Sequence, residues 1–188
     1  MRKPNDIAID RALLLYLLQL VETAEYSMGS DVKLQQLVFL SELQMLGKGL
    51  RGFHFEFMRF AYGAFSKDLD NDLLALRRKE RLENFTPTEK GQAAAKIVED
   101  SQKDTDPQEQ ILEMIQSVVT TYGPQDVGEV INSVENVEIG SAEKPEDKLA
   151  IRDISFHIIM LVPSRIEVTG ECAFPRPVLA RLNKALGF

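Results

Sequence analysis

The chain has 188 residues, 44% of them hydrophobic, and a formal net charge of −7, which suits a folded, soluble domain of ordinary size with or without an appended subdomain. A single cysteine, Cys172, excludes an internal disulfide framework and suits a reducing cytoplasm. The longest apolar run, Ala12 to Val21, is broken by Gln19 and falls short of the ~18 to 20 residues a membrane span needs.

The charge is unevenly spread. Residues 44–81 carry eight Lys/Arg against five Asp/Glu, residues 99–147 carry thirteen acids against two Lys, and from Lys148 onward six basic residues face three acidic ones. The acidic middle repels phosphate and otherwise reads as a solvated helix face.

Helices dominate the expected order. Ile7 to Glu22 is apolar nearly all round, and Asp6 and Asp10 stand where a secretory leader would be basic, so it reads as a core helix. The match of Asn84-Phe85-Thr86 to a glycosylation acceptor then carries no meaning. Asp31 is expected to cap a helix from Val32 to Leu46, which Gly47 ends. Between Gly52 and Phe60 the period becomes two, placing Phe53, Phe55 and Phe57 on a buried face and His54, Glu56 and Met58 on the other: a half-buried strand. Ala61 to Phe65 makes a turn, and Ser66 is placed to cap a helix carrying Leu69, Leu73 and Leu76.

Thr86-Pro87-Thr88-Glu89 and Asp106-Pro107-Gln108-Glu109 each offer an N-cap, a proline and a glutamate, predicting two further helix starts. The second helix shows Ile111, Leu112, Ile115, Val118, Val119 and Tyr122 on one face and breaks at Gly123-Pro124 before a shorter helix with Val127, Val130, Ile131 and Val134. Ile139 to Lys148 reads as a polar loop. Leu149 to Val162 fits both templates and is expected to be helical, followed by a short strand over Ile166 to Thr169 and a last helix starting near Pro177.

Gly47-Lys48-Gly49-Leu50-Arg51-Gly52 has the glycine spacing of a dinucleotide loop, but it follows a helix and precedes a strand, the reverse of the order that points a helix N-terminus at a pyrophosphate. It reads as a helix C-cap and connector. Asp68 to Asp72 opens like a calcium loop but has Leu73 where glycine is needed and Lys79 where a bidentate glutamate is needed, so its aspartates are expected to favour the positive end of their helix. With only His54, His157 and Cys172 as soft ligands, no metal, no cofactor and no enzymatic chemistry is expected.

Asp31 to Leu40, containing Lys33-Leu34-Gln35-Gln36-Leu37, then Phe53 to Arg59, Tyr62-Gly63-Ala64-Phe65-Ser66 and Leu69 to Leu76 together resemble the Panacea domain of SocA-like antitoxins and their YwgA-like relatives, over about residues 8 to 100. The chain departs from that pattern at Ala64, where proline is usual, and at Ala61, where a larger residue is frequent. The resemblance implies a protein that binds and neutralises or presents a protein partner, often a toxin encoded nearby. Phe53, Phe55 and Phe57 are then core, and Met58, Tyr62, Gly63 and Phe65 form the partner-binding set at the strand's far face and turn.

Leu73 to Lys90 is similar to the helix, wing and Thr-Glu-Lys-Gly end of winged-helix regulators, giving the alternative of a DNA-binding transcriptional regulator whose contacts are Arg77, Arg78, Lys79, Arg81 and Lys90. The expected architecture is a mainly helical α+β fold: a Panacea-like, winged-helix-like domain over 1–103 with a short aromatic strand, and an acidic helical extension over 104–188 packed on it. The expected protein is a cytoplasmic bacterial interaction module with a protein partner, no membrane association, and room for DNA binding or self-association.

Overall fold

A computed structural model describes residues 2–101, 106–141 and 143–188. Among them are seven α-helices: α1 (Pro4–Thr23), α2 (Asp31–Gly47), α3 (Lys67–Arg78), α4 (Glu89–Ser101), α5 (Asp106–Tyr122), α6 (Val127–Glu135) and α7 (Arg176–Leu186). Nine short strands join them: β1 (Leu50–Arg51), β2 (Phe57–Phe60), β3 (Gly63–Phe65), β4 (Leu82–Glu83), β5 (Thr86–Pro87), β6 (Glu138–Gly140), β7 (Lys148–Ala150), β8 (Ile159–Leu161) and β9 (Gly170–Glu171). The fold is α+β and mainly helical, as expected.

The unbroken apolar run of α1 has a simple consequence: from Ala12 to Leu18 every residue is buried, so the helix needs neighbours on all sides. It has them in α3, α4, α5 and α7. α2 forms a second layer against α5 and α6. Its N-cap is Ser30, whose hydroxyl accepts from the Lys33 N–H at 3.2 Å; the expected cap, Asp31, is the first helical residue and pairs instead with Arg77. Ser66 caps α3 as predicted, accepting from the Leu69 N–H. Thr88, not Thr86, accepts from the Gly91 N–H at the start of α4, because Thr86 and Pro87 are held in β5.

β2 is flanked by β3 and β8 in an antiparallel sheet of order β3-β2-β8, and β1 pairs in parallel with β9. Two small hairpins, β4–β5 and β6–β7, complete the β content among the described residues. Gly52 to Glu56 is extended but unpaired, so the predicted strand contracts to Phe57–Phe60. Its alternation nonetheless holds: Phe53, Phe55 and Phe57 are all buried, Phe53 stacked on Phe55 at 5.7 Å between ring centroids and Phe55 edge-to-face with Phe57 at 6.4 Å.

Two expectations fail in the second half. Leu149 to Val162 is not helical: its start pairs with β6, a 3-10 turn spans Ile151–Asp153, and Ile159–Leu161 joins β2. Phe156, Ile158 and Ile159 are all exposed, so a helix there would have no apolar stripe to bury, and pairing with a distant strand decides between the two templates. The strand expected at Ile166 to Thr169 begins at Gly170, since Thr169 spends its N–H and hydroxyl on the Gly49 carbonyl. The polar stretch from Ile139 to Lys148 is partly drawn into the β6–β7 hairpin.

The boundary expected at 103/104 lies outside the described residues. The later segment is not wholly helical, and it completes the earlier one: β8 and β9 supply partners for β2 and β1, and α7 packs on α1 and α4. Phe55 is wholly buried, with the Arg2 guanidinium 4.8 Å above its ring. Phe55→Ala should cost ~3 to 5 kcal/mol in urea unfolding, the range for emptying a buried aromatic site. A loss below ~1 kcal/mol would show that the aromatic segment is not core.

Candidate interaction site

Cross-strand pairing sorts the side chains of the three-stranded sheet. Phe57 and Leu161 pair and are buried, as are Arg59 and Ala64. The opposite face therefore carries Met58 with its neighbour Phe65, and Phe60 opposite Gly63, while Ile159 meets Met58 across a register shift that breaks the regular alternation of β8. This face is poorly covered: Phe60 is 39% exposed and Ile159 58%, and Tyr62 in the adjoining turn is 62% exposed. The Phe60 ring lies 5.2 Å from that of Phe65 and 5.7 Å from His157, so these three groups form one contiguous surface. Next to it Val32, Phe60, Tyr62, Ala64 and Phe65 line a pocket of about 150 Å³ that Asp31 and Asp70 also line.

Of the four residues expected to meet a partner, Met58, Tyr62 and Phe65 lie on or beside this surface. Gly63 is buried and has another task. At φ +93° it occupies backbone space disfavoured for other residues, and a Cβ there would stand 2.3 Å from Gln36 Oε1. That closeness lets the Gln36 amide accept from the Ala64 N–H at 2.9 Å and donate to the Ala64 carbonyl at 3.0 Å. Gln35 does the same for Ser66, at 2.9 and 3.1 Å. Two glutamines of α2 thus occupy the outer edge of β3 as a strand would. Phe60, Phe156, His157 and Ile159 were not anticipated, the last three because their segment read as helix.

Arg59 links this sheet to α6. It is buried, donates to Glu135 at 2.8 Å and to the Phe60 carbonyl, and lies 5.3 Å from the Phe156 ring centroid. His157, between Phe156 and the strand, holds φ +67°, an uncommon conformation for a non-glycine residue.

The inner side carries a network of buried charge. Asp10 of α1 accepts from the His54 N–H at 3.0 Å, from His54 Nδ1 at 2.9 Å and from Arg2 at 2.8 Å. Glu171 meets His54 Nε2 at 3.1 Å. Glu42 of α2 accepts from the Phe53 N–H at 2.8 Å while its other oxygen has no partner among the described residues. His54 is therefore a structural link between two carboxylates, not the outward residue that its alternation with Phe53 and Phe55 implied. Asp72 likewise leaves the role expected of it at the helix start, accepting from Arg2 at 2.7 Å and Arg11 at 2.9 Å.

Burial pushes Glu42 up to about 8, reinforced by the nearby Asp10 charge and opposed by the Phe53 N–H. Burial pulls His54 down, but its hydrogen bond to Asp10 and the Asp10 charge prevail and hold it at about 9. Burial also raises the Cys172 thiol, leaving it a poor nucleophile. Among the described residues no group of three His, Cys, Asp or Glu is placed to hold a metal ion.

The cations of the DNA-binding alternative are mostly engaged within the chain. Arg77 donates to Asp31 at 2.7 Å and stacks on Phe85, Lys79 donates to the Gly187 carbonyl, Arg81 donates to the Ala185 carbonyl, and Lys90 pairs with Glu80. Arg78 alone of the five has no such contact among the described residues. The β4–β5 hairpin has two residues per strand and turns at Asn84-Phe85.

Both raised groups make the folded state bind more protons than the unfolded chain, Glu42 between its ordinary 4.5 and about 8, His54 between 6.5 and about 9. Their stabilisation is complete below the lower values and is lost as pH rises through the upper ones, by up to ~1.4 kcal/mol per pH unit for each titrating group. Thermal melting should therefore fall steadily from pH 6 to pH 9, and Glu42→Gln should flatten the part below pH 8. A melting temperature constant across that range would contradict the assignment.

No family model, curated protein or solved structure matches the chain.

Proposed function

We propose that the chain is a bacterial interaction module of the antitoxin type, acting in the cytoplasm by binding a protein partner rather than by chemistry on a substrate. The observation that carries this reading is the apolar surface of Phe60, Tyr62, Phe65 and Ile159. Large aromatic groups at a surface cost solubility and are typical anchors of protein interfaces. The resemblance of Asp31 to Leu76 to Panacea domains points the same way and favours a toxin encoded nearby as the partner. No helix of the described residues is long and apolar enough to cross a membrane.

The surroundings specify the partner's surface. Asp31 and Asp70 line the adjoining pocket, Asp31 already paired with Arg77, and the α6 carboxylates Glu129 and Glu135 already accept from the Asp126 N–H and from Arg59. The complementary surface is therefore defined by its apolar centre, with Asp70 as the acidic group left to meet a cation at its edge. DNA binding is less well supported, because Arg77, Lys79, Arg81 and Lys90 already hold acceptors of the chain and a net charge of −7 opposes a phosphate backbone.

Co-expression with the products of adjacent reading frames, followed by purification and measurement of affinity, tests this. A stoichiometric complex should form, and Tyr62→Ala with Ile159→Ser should weaken it by ~2 kcal/mol or more while changing stability by no more than about 0.5 kcal/mol per exposed site. Undiminished affinity in the folded double variant, self-association as the sole complex, or recovered DNA would each overturn the proposal.

A further inference from the structure

We propose that the groove between α4 and α7, remote in sequence from the aromatic sheet, is a second docking surface that takes an acidic amphipathic helix of a partner protein. Ala93, Ile97 and Ala185 form its floor, Arg81, Lys90, Arg181 and Lys184 its walls, and its volume is about 430 Å³. No acidic residue lines it.

The two helices present matched stripes. On α4, Lys90, Ala93 and Ile97 fall at i, i+3 and i+7; on α7, Arg181, Lys184 and Ala185 fall at i, i+3 and i+4. Each stripe places cations beside small or apolar residues. Alanine floors allow another helix to approach closely, and the aliphatic stems of Lys and Arg extend the apolar surface while their heads remain in water. Arg81 is fixed by its bond to the Ala185 carbonyl at 2.8 Å, which ties the wall to the C-terminal end of α7. The side chains of Arg181 and Lys184 make no hydrogen bond or ion pair among the described residues, and that of Lys90 is held by an exposed pair with Glu80.

Charge and shape together select the occupant. Four cations around a groove, on a chain whose net charge is −7, call for a local anion rather than an extended one. A nucleic-acid backbone needs no apolar floor and would be opposed by the chain's net charge of −7, whereas a helix with glutamates flanking an alanine or leucine stripe uses both features, in the manner of helix-in-groove recognition. Arg81 and Lys90 belong to the cation set expected from sequence; Arg181 and Lys184 join them only through packing.

A stapled sixteen-residue helix with Leu and Ala at i, i+3, i+4 and i+7 and Glu elsewhere is the probe, titrated into the full chain and followed by fluorescence anisotropy. Binding should be saturable, at least fivefold weaker for a scrambled peptide of the same composition, and at least tenfold weaker for the variant combining Arg181→Glu and Lys184→Glu. That variant should in turn bind the same helix carrying Lys in place of Glu. Its melting temperature, measured alongside, should match that of the parent chain. The proposal is overturned by absence of saturable binding, by equal binding of the scrambled peptide, by a folded charge-reversed variant that binds normally, or by a short DNA duplex that binds more tightly than the peptide.

Discussion

Phe53 and His54 lie in an extended segment that passes through the protein interior without a strand on either side. A buried amide without a partner costs ~1 to 3 kcal/mol, and here the partners are carboxylates: Glu42 from α2 for Phe53 and Asp10 from α1 for His54. Placing two acids in the core then requires the rest of the network. Asp10 draws in the His54 ring and Arg2, Arg2 reaches Asp72, Asp72 receives Arg11, and Glu171 closes on the far nitrogen of His54. Glu42, with one oxygen left alone among the described residues, meets the constraint by holding its proton. The alkaline loss of stability follows from the same arrangement.

The edge of β3 is handled by the same device in neutral form. Gln35 and Gln36 close both hydrogen-bonding directions of Ser66 and Ala64, and Gly63 leaves the space that Gln36 needs. Helix side chains therefore stand in for two missing strands. The aromatic segment is held from within, and what remains open is the outer face of the sheet and the edge at β8. Burying each of Phe53, Phe55 and Phe57 is worth ~1.5 to 3 kcal/mol. Phe60, Tyr62 and Ile159 contribute no comparable burial.

How much of this could be read from residues alone depends on whether the deciding interaction is local. The helices were legible because their apolar stripes and caps lie within one segment, and the period-two run from Phe53 identified the buried face even though no ladder forms there. The cap positions at Ser30 and Thr88 differ from expectation by one and two residues, as the first turn competes with Arg77 pairing and with β5. The polar members of Lys33-Leu34-Gln35-Gln36-Leu37 were invisible as structural groups: Lys33 donates to the Ser27 and Gly123 carbonyls at 2.7 and 2.8 Å, and the glutamines seal β3. Nothing in their spacing announces partners that, Ser27 aside, lie about thirty to ninety positions away. The same distance explains the segment after Leu149, whose exposed Phe156 and Ile159 acquire meaning only when β8 meets β2.

The account rests on side chains acting as strand partners, and native-state amide hydrogen exchange tests that most directly. The N–H groups of Phe53, His54, Ala64 and Ser66, none of which belongs to a helix, should exchange as slowly as those of the buried turns of α1, opening only with global unfolding. Exchange at these four amides on the timescale of exposed loops, while α1 remains protected, would show that the carboxylates and glutamines do not hold the aromatic segment and would contradict the account.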